Sequence, residues 1–420
     1  MRRTSRSVLA ALVLTTAACT GNGETATTEV VVTTTTEPPT VRVDDGVLRI
    51  GVLIPTGDTG VGASLEATFQ EAIELVNRAG GVLGNDVEPI IANEGPTSDS
   101  AAGAVEDLAA RGVDAIIGPT SSNSAFGALE TAVESGLLMC SPTASASVLD
   151  DFPDDGLFFR TIATDSLQAV AIAEQAELTG ARNIAIVHVD DAYGRPYAAA
   201  VAAAIDVATV STVRVGVDDE DLSGMVDEIA DTGARVLIVL GSAEDSAQIL
   251  AALGNDGAPE ISDIIVNDAA RGVEARSVIA GLPIALRERI LGVAPQLVLP
   301  DDDEDDDETP LPFAPQVIDC VNLISLAVLQ AQSDSPSLFA TQMSSVSSGG
   351  SVCRNFAECA ERLEGFEIDY SGGTGITELG RNGDPSRAWF DRFRFDEEGR
   401  DFLDNVETRD DGHFAVAFEN

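Results

Sequence analysis

The chain has 420 residues, with 70 acidic and 24 basic side chains and a formal charge of −46 at pH 7. So acidic a balance argues against nucleic acid and anionic lipid headgroups as partners, because both would repel it. Two histidines, five cysteines and no Cys-x-x-Cys argue against a zinc site, and no metal or other cofactor is expected.

Arg2, Arg3 and Arg6 precede an apolar stretch from Val8 to Leu14, and Thr16-Ala17-Ala18-Cys19 follows. Basic, apolar and small residues in that order form an export signal, and the apolar part is too short for a permanent span. A Cys just after the cleavage point resembles the bacterial lipoprotein signal. Residues 1–18 therefore read as a leader and Cys19 as the lipidated first residue. Residues 19–45, mostly Thr, Glu, Gly and Pro, cannot bury enough apolar surface to order themselves and read as a disordered tether. No later segment is expected to cross a membrane, so contact with the bilayer is expected only through the lipid, on the outer face of the cell membrane. Export takes three of the 24 basic residues, leaving 21 against 70 acidic ones, near −49. Roughly 375 residues remain, enough for two domains.

Val47 to Thr56 is apolar on both faces, as a central parallel strand requires. Gly57 to Gly62 follows with neither nucleotide fingerprint spacing nor a Gly-Lys-Ser/Thr, so nucleotide binding is not expected. A helix from Ala63 to Asn77, a strand from Asp86 to Ala92 and a helix from Ser98 to Arg111 continue the alternation. Strands Val113 to Ile117 and Leu137 to Cys140 each end in small hydroxyl residues, with a helix from Ser124 to Ser135 between them. Ligands of parallel α/β sheets bind beyond the carboxyl ends of strands, and hydroxyls beside helix N–H groups suit a carboxylate. After an extended Leu157 to Ile162, a second series begins. It comprises helices 166–178, 196–207, 222–231 and 243–253, with strands 183–189, 213–217, 236–240 and 263–266. Two such series imply an α/β protein of two similar lobes.

Asp301 to Glu308 is an unbroken acidic run that should stay solvated. Its spacing is not that of a calcium loop, since Asp306 and Pro312 stand where Gly and Glu are needed. A helix from Ala314 to Gln330 and an alternating strand from Ala388 to Asp396, with the single tryptophan Trp389, close the pattern. Cys353 and Cys359 can pair in an exported protein, whereas Cys140 and Cys320 read as buried free thiols. His188 reads as core and Arg160 as one half of an ion pair at the lobe junction. No Gly-x-Ser-x-Gly elbow occurs, and neither histidine is placed by a motif as its base, so an enzyme is not expected.

The first strand into Gly60-Val61-Gly62, Gly118 to Ser124 and Ser141-Pro142-Thr143-Ala144-Ser145 are among the motifs that carry a resemblance. So are Phe159-Arg160-Thr161 with Asp165 and Gln168, Asp191-Ala192-Tyr193-Gly194, Asp319 to Ile324 and Phe366 to Tyr370. In order and spacing the chain resembles the type I periplasmic binding proteins of branched-chain amino acid transporters, from about Leu48 to Asp396. The resemblance implies two Rossmann-like lobes with parallel sheets flanked by helices, residues 46–163 with 296–384 and residues 164–295 with 385–420. Three hinge crossings would join them near 163–165, 293–296 and 383–388. It also implies that Ser122, Thr143 and Ser145 hold an α-carboxylate, Tyr193 closes over the ligand and Asp268 holds the α-ammonium. The implied partners are a small amino acid or related amide or carboxylate and an ABC transporter permease, with the protein acting as a single copy. A ligand sensor of the same fold, coupled to a signalling partner, is the alternative. Val61 and Ser242-Ala243-Glu244 stand where the family often carries aromatics, which leaves side-chain specificity open.

Overall fold

The computed structural model describes residues 44–56, 61–191, 193–217, 219, 221–255, 260–271, 273–296, 313–374, 378–380, 382–404 and 413–417. The leader, Cys19, nearly all of the tether, most of the first glycine turn and the acidic run lie outside these residues.

The first sheet is wholly parallel and built from β1 (Arg49–Ile54), β2 (Glu88–Asn93), β3 (Ala115–Ile117), β4 (Leu138–Ser141) and β5 (Phe158–Arg160), in the order β2-β1-β3-β4-β5. Alternate side chains of β1 enter opposite layers: Ile50, Val52 and Ile54 join one core and Leu53 the other. Helix α1 (Val61–Arg78) packs on the first side, and α2 (Ser98–Ala110) and α3 (Ser122–Glu134) pack on the second.

The chain then crosses to a second sheet through α4 (Asp165–Leu178). There β6 (Asn183–Val189), β7 (Thr209–Val215), β8 (Val236–Leu240), β9 (Asp263–Val266) and β10 (Ile290–Pro295) run parallel in the order β10-β9-β8-β6-β7. Helix α5 (Gly194–Ala204) shares one layer with α4, while α6 (Ser223–Thr232), α7 (Ala243–Asn255) and α8 (Val273–Gly281) cover the other. Every residue of β8 is buried, as its unbroken apolar run requires. The expected helix to 207 stops at Ala204, and β7 begins four residues earlier than the expected 213. Its Thr-Val-Ser-Thr start lies on an exposed edge and lacks the apolar run that marks the central strands.

The chain returns to the first core as α9 (Ala314–Ala331). By length and composition this helix is apolar enough to span a bilayer, which corrects the expectation that no such segment exists. It is instead a core helix, packed against α1 and buried over most of its length. A small appendix follows: β11 (Ser351–Cys353), α10 (Phe356–Leu363) and β12 (Ile368–Tyr370), stapled by a Cys353–Cys359 disulfide. The third crossing delivers β13 (Arg387–Phe395) antiparallel to β10, flanked by β14 (Asp401–Leu403) and β15 (His413–Ala417).

Cys140 and Cys320 are not free thiols; they form a second disulfide, with Cα atoms 5.9 Å apart at a sequence separation of 180. Apolar surroundings look alike for a thiol and a buried disulfide. Only the docking of α9 on β4 brings these two within bridging range. The neighbouring Asp319 is wholly buried and accepts from the Tyr370 hydroxyl (2.7 Å), the N–H groups of Gly373 (3.0 Å) and Thr374 (3.1 Å) and the Thr374 hydroxyl (2.6 Å). A Cβ at Gly372 would stand 1.9 Å from that carboxylate, so glycine is required there. His188 is buried in β6, as expected of a core histidine.

Candidate functional site

Strands β3 and β4 pair in register, so the loops that follow them lie side by side. Gly118 turns the first loop at φ +116°, where a Cβ would lie 2.2 Å from the Leu53 carbonyl. Ser121 caps α3 by accepting the Ser124 N–H at 3.1 Å. Ser122 opens the helix, and its hydroxyl accepts the N–H of Ala146 in the second loop at 3.2 Å. The Thr143 hydroxyl donates back to the Pro119 carbonyl at 3.2 Å. Hydroxyls thus stitch the two loops together beside the positive end of α3. Glu94, at the end of β2, accepts both the N–H and the hydroxyl of Thr120, and burial pushes its carboxyl above the ordinary value.

The second sheet presents Tyr193, Asn267 and Asp268 at its own carboxyl edge. Asp191 accepts the N–H groups of Tyr193 (3.0 Å) and Gly194 (2.6 Å), fixing the turn into α5. The Tyr193 ring meets Tyr197 edge-on at 5.6 Å, and the Asn267 amide approaches its hydroxyl at 3.5 Å. Gln168 of α4 donates to Asp268 at 2.9 Å and to the Val293 carbonyl at 3.0 Å.

Asp165, the first residue of α4, joins the two sides. Its N–H donates to the Ser145 carbonyl at 2.8 Å, and the Ser145 hydroxyl bonds its carboxylate. Burial pushes this acid up to about 7; the Ser145 bond opposes the shift, and the Asp268 charge adds to it. Arg160 and Asp150 act on it from farther off, and its charge reaches the Tyr193 and Tyr197 hydroxyls. Burial likewise raises Asp268, against the Gln168 bond and the Arg271 charge.

Neither arginine is available to a ligand. Arg160 is held by Asp384 (2.6 Å and 2.8 Å) and by Asp150, all within the first lobe's side of the junction. Arg271 pairs with Asp391 (3.5 Å) and Asp401 (3.0 Å) over the Phe393 ring. The structure therefore leaves Asp165 and Asp268 as acids without a cation of their own among the described residues.

Of the residues singled out in the sequence, Ser145, Tyr193 and Asp268 converge around Asp165, while Ser122 and Thr143 lie in the adjoining loop web. The turn Ser147–Leu149 of the first lobe lies against α5 of the second. Asp165, Gln168, Tyr197 and Asn267 were not assigned to the site. An acid at a helix start, a Tyr four residues after Tyr193 and an Asn beside Asp268 were the available signals.

Two α/β lobes are joined by three connections, and polar groups of both lie close together at the junction. The chain belongs to the periplasmic binding protein family, which it matches over residues 47–267. Leu/Ile/Val-binding protein homolog 3 of Brucella melitensis is 28% identical over 45% of this chain and 53% of its own length. The chain spans about half the length of the first curated relatives it matches. The chemotactic substrate-binding protein BasB of Halobacterium salinarum is 25% identical over 79% of this chain and 83% of its own. In fold, the chain is similar to leucine-binding LivK of Thermotoga maritima (TM-score 0.64, 18% identity), covering 85% of this chain and 97% of that one. These relatives are substrate-binding proteins, not enzymes.

Proposed function

We propose that this chain is an exported receptor that captures a small amino acid between its lobes and passes it, chemically unaltered, to an ABC transporter permease. The observation that carries the reading is buried Asp165 with half-buried Asp268, two carboxylates close to the hydroxyl-lined loops beside the N-terminus of α3. An ammonium would neutralise the acids, and a carboxylate would take the positive end of α3 and the hydroxyls of Ser122, Thr143 and Ser145. Tyr193 would close over the ligand and Asp268 would hold the ammonium. The names of relatives that bind leucine, isoleucine or valine support an aliphatic ligand. Cleavage before Cys19 and lipidation there would hold the protein at the outer face of the membrane. The division into residues 46–163 with 296–384 and 164–295 with 385–420 belongs to the same reading.

Sensing is the second reading, and the broad match to BasB favours it. Genomic adjacency separates the two: permease and ATPase genes beside this one would count for transport, and a kinase or regulator gene would count for sensing.

The direct test is calorimetry with leucine, isoleucine, valine and alanine. Fluorescence of Trp389, the single tryptophan, provides a closure signal from the third crossing. Ser122→Ala is expected to weaken binding by ~1–3 kcal/mol without unfolding the protein; an unchanged affinity would remove Ser122 from the site.

A pH dependence follows from Asp165. Because its folded value lies above an ordinary aspartate's, its contribution to stability is full at low pH and is lost as pH rises through about 7. An incoming ammonium displaces that proton, so affinity should rise between about pH 5 and about pH 7, by up to about tenfold per unit, and then level. Asp165→Asn should flatten the curve; calorimetry across that range checks both results.

A further inference from the structure

The groups around Asp165 and Asp268 are unbalanced in hydrogen bonding as well as in charge. The Asn267 amide is oriented by the Gly241 carbonyl, which can only accept and therefore fixes the amide nitrogen at 3.1 Å. Its oxygen is then buried with no donor among the described residues, and Asn267 is 0% exposed. The Tyr197 hydroxyl, also 0% exposed, has no partner either. Both belong to the cluster around Tyr193, and the charges of Asp165 and Asp268 reach both tyrosine hydroxyls. Buried acceptors of this kind cost free energy until a donor reaches them.

A neutral zwitterion corrects this only in part. It brings one ammonium for two carboxylates, and its own carboxylate adds a third negative group to a gap whose nearest arginines are already paired. Resting on the receptor reading above, we propose that the cleft selects amines of net positive charge over zwitterions of the same size. A second cationic group meets the second acid and supplies N–H donors to Asn267 and Tyr197. Like-charge crowding is relieved where a zwitterion leaves it.

Lysine and norleucine share a chain length and differ by the terminal ammonium. Calorimetry of the purified protein at about pH 7.5 and low salt is expected to show lysine bound at least about tenfold more tightly, about 1.4 kcal/mol. Raising the salt to about 0.5 M should narrow that margin without erasing it, as for partly buried charges. Equal binding, or norleucine the tighter, overturns the net-charge inference and leaves the amino-acid receptor standing. Failure of both, with leucine, isoleucine, valine and alanine also silent, overturns the receptor reading and this inference with it.

Discussion

Replacing Arg160 by Met is expected to lower unfolding stability by about 3–5 kcal/mol. The guanidinium is 0% exposed, and it satisfies Asp384, Asp150 and the carbonyls of Ala144 (3.3 Å) and Ala146 (3.0 Å) at once. Removing it strands a buried carboxylate, which is far worse than losing the pair's modest net attraction. The double variant Arg160→Met, Asp384→Leu should recover part of the loss, because no charge is then left alone. Arg160 also ties the loop after β4 to the third crossing, and Asp150 in turn accepts the Ser166 hydroxyl at the start of α4 (2.6 Å). Ligand affinity should therefore fall along with stability. Urea unfolding of both variants checks the result, and a loss below about 1 kcal/mol would mean the ion pair is dispensable.

The second large effect is expected from Cys140→Ala with Cys320→Ala. The bridge closes a loop across 180 residues, and its loss should cost about 2–5 kcal/mol, mainly through greater freedom of the unfolded chain. Removal of Cys353–Cys359, which spans six residues, should cost less by the same loop-length reasoning. The first bridge joins the strand that ends in the Ser141 loop to the helix that carries Asp319, so its absence should also loosen that loop. Thermal unfolding of each double variant under non-reducing conditions gives the comparison. Equal losses at the two bridges would contradict the loop-length argument.

The alternation of apolar strands and amphipathic helices was legible from Val47 to Val266 because burial on both faces forces unbroken apolar runs, and helices repeat every three to four residues. Edge strands were less legible. β7 is half solvent-exposed, so its polar residues hide its start. The hydroxyl clusters after β3 and β4 pointed to a ligand edge because strand ends are where a parallel sheet leaves backbone groups for a solute.

Local order along the chain carried the lobes and the candidates Ser122, Thr143, Ser145, Tyr193 and Asp268. What it could not carry were relations between distant segments. Cys140 meets Cys320 and Arg160 meets Asp384 only after the chain has passed to the second lobe and back, and Asp165 comes near Asp268 only once the second sheet is assembled. The shift of Asp165 to about 7 arises in the same way: burial and a neighbouring charge are properties of surroundings that packing assembles, and no window of sequence contains them.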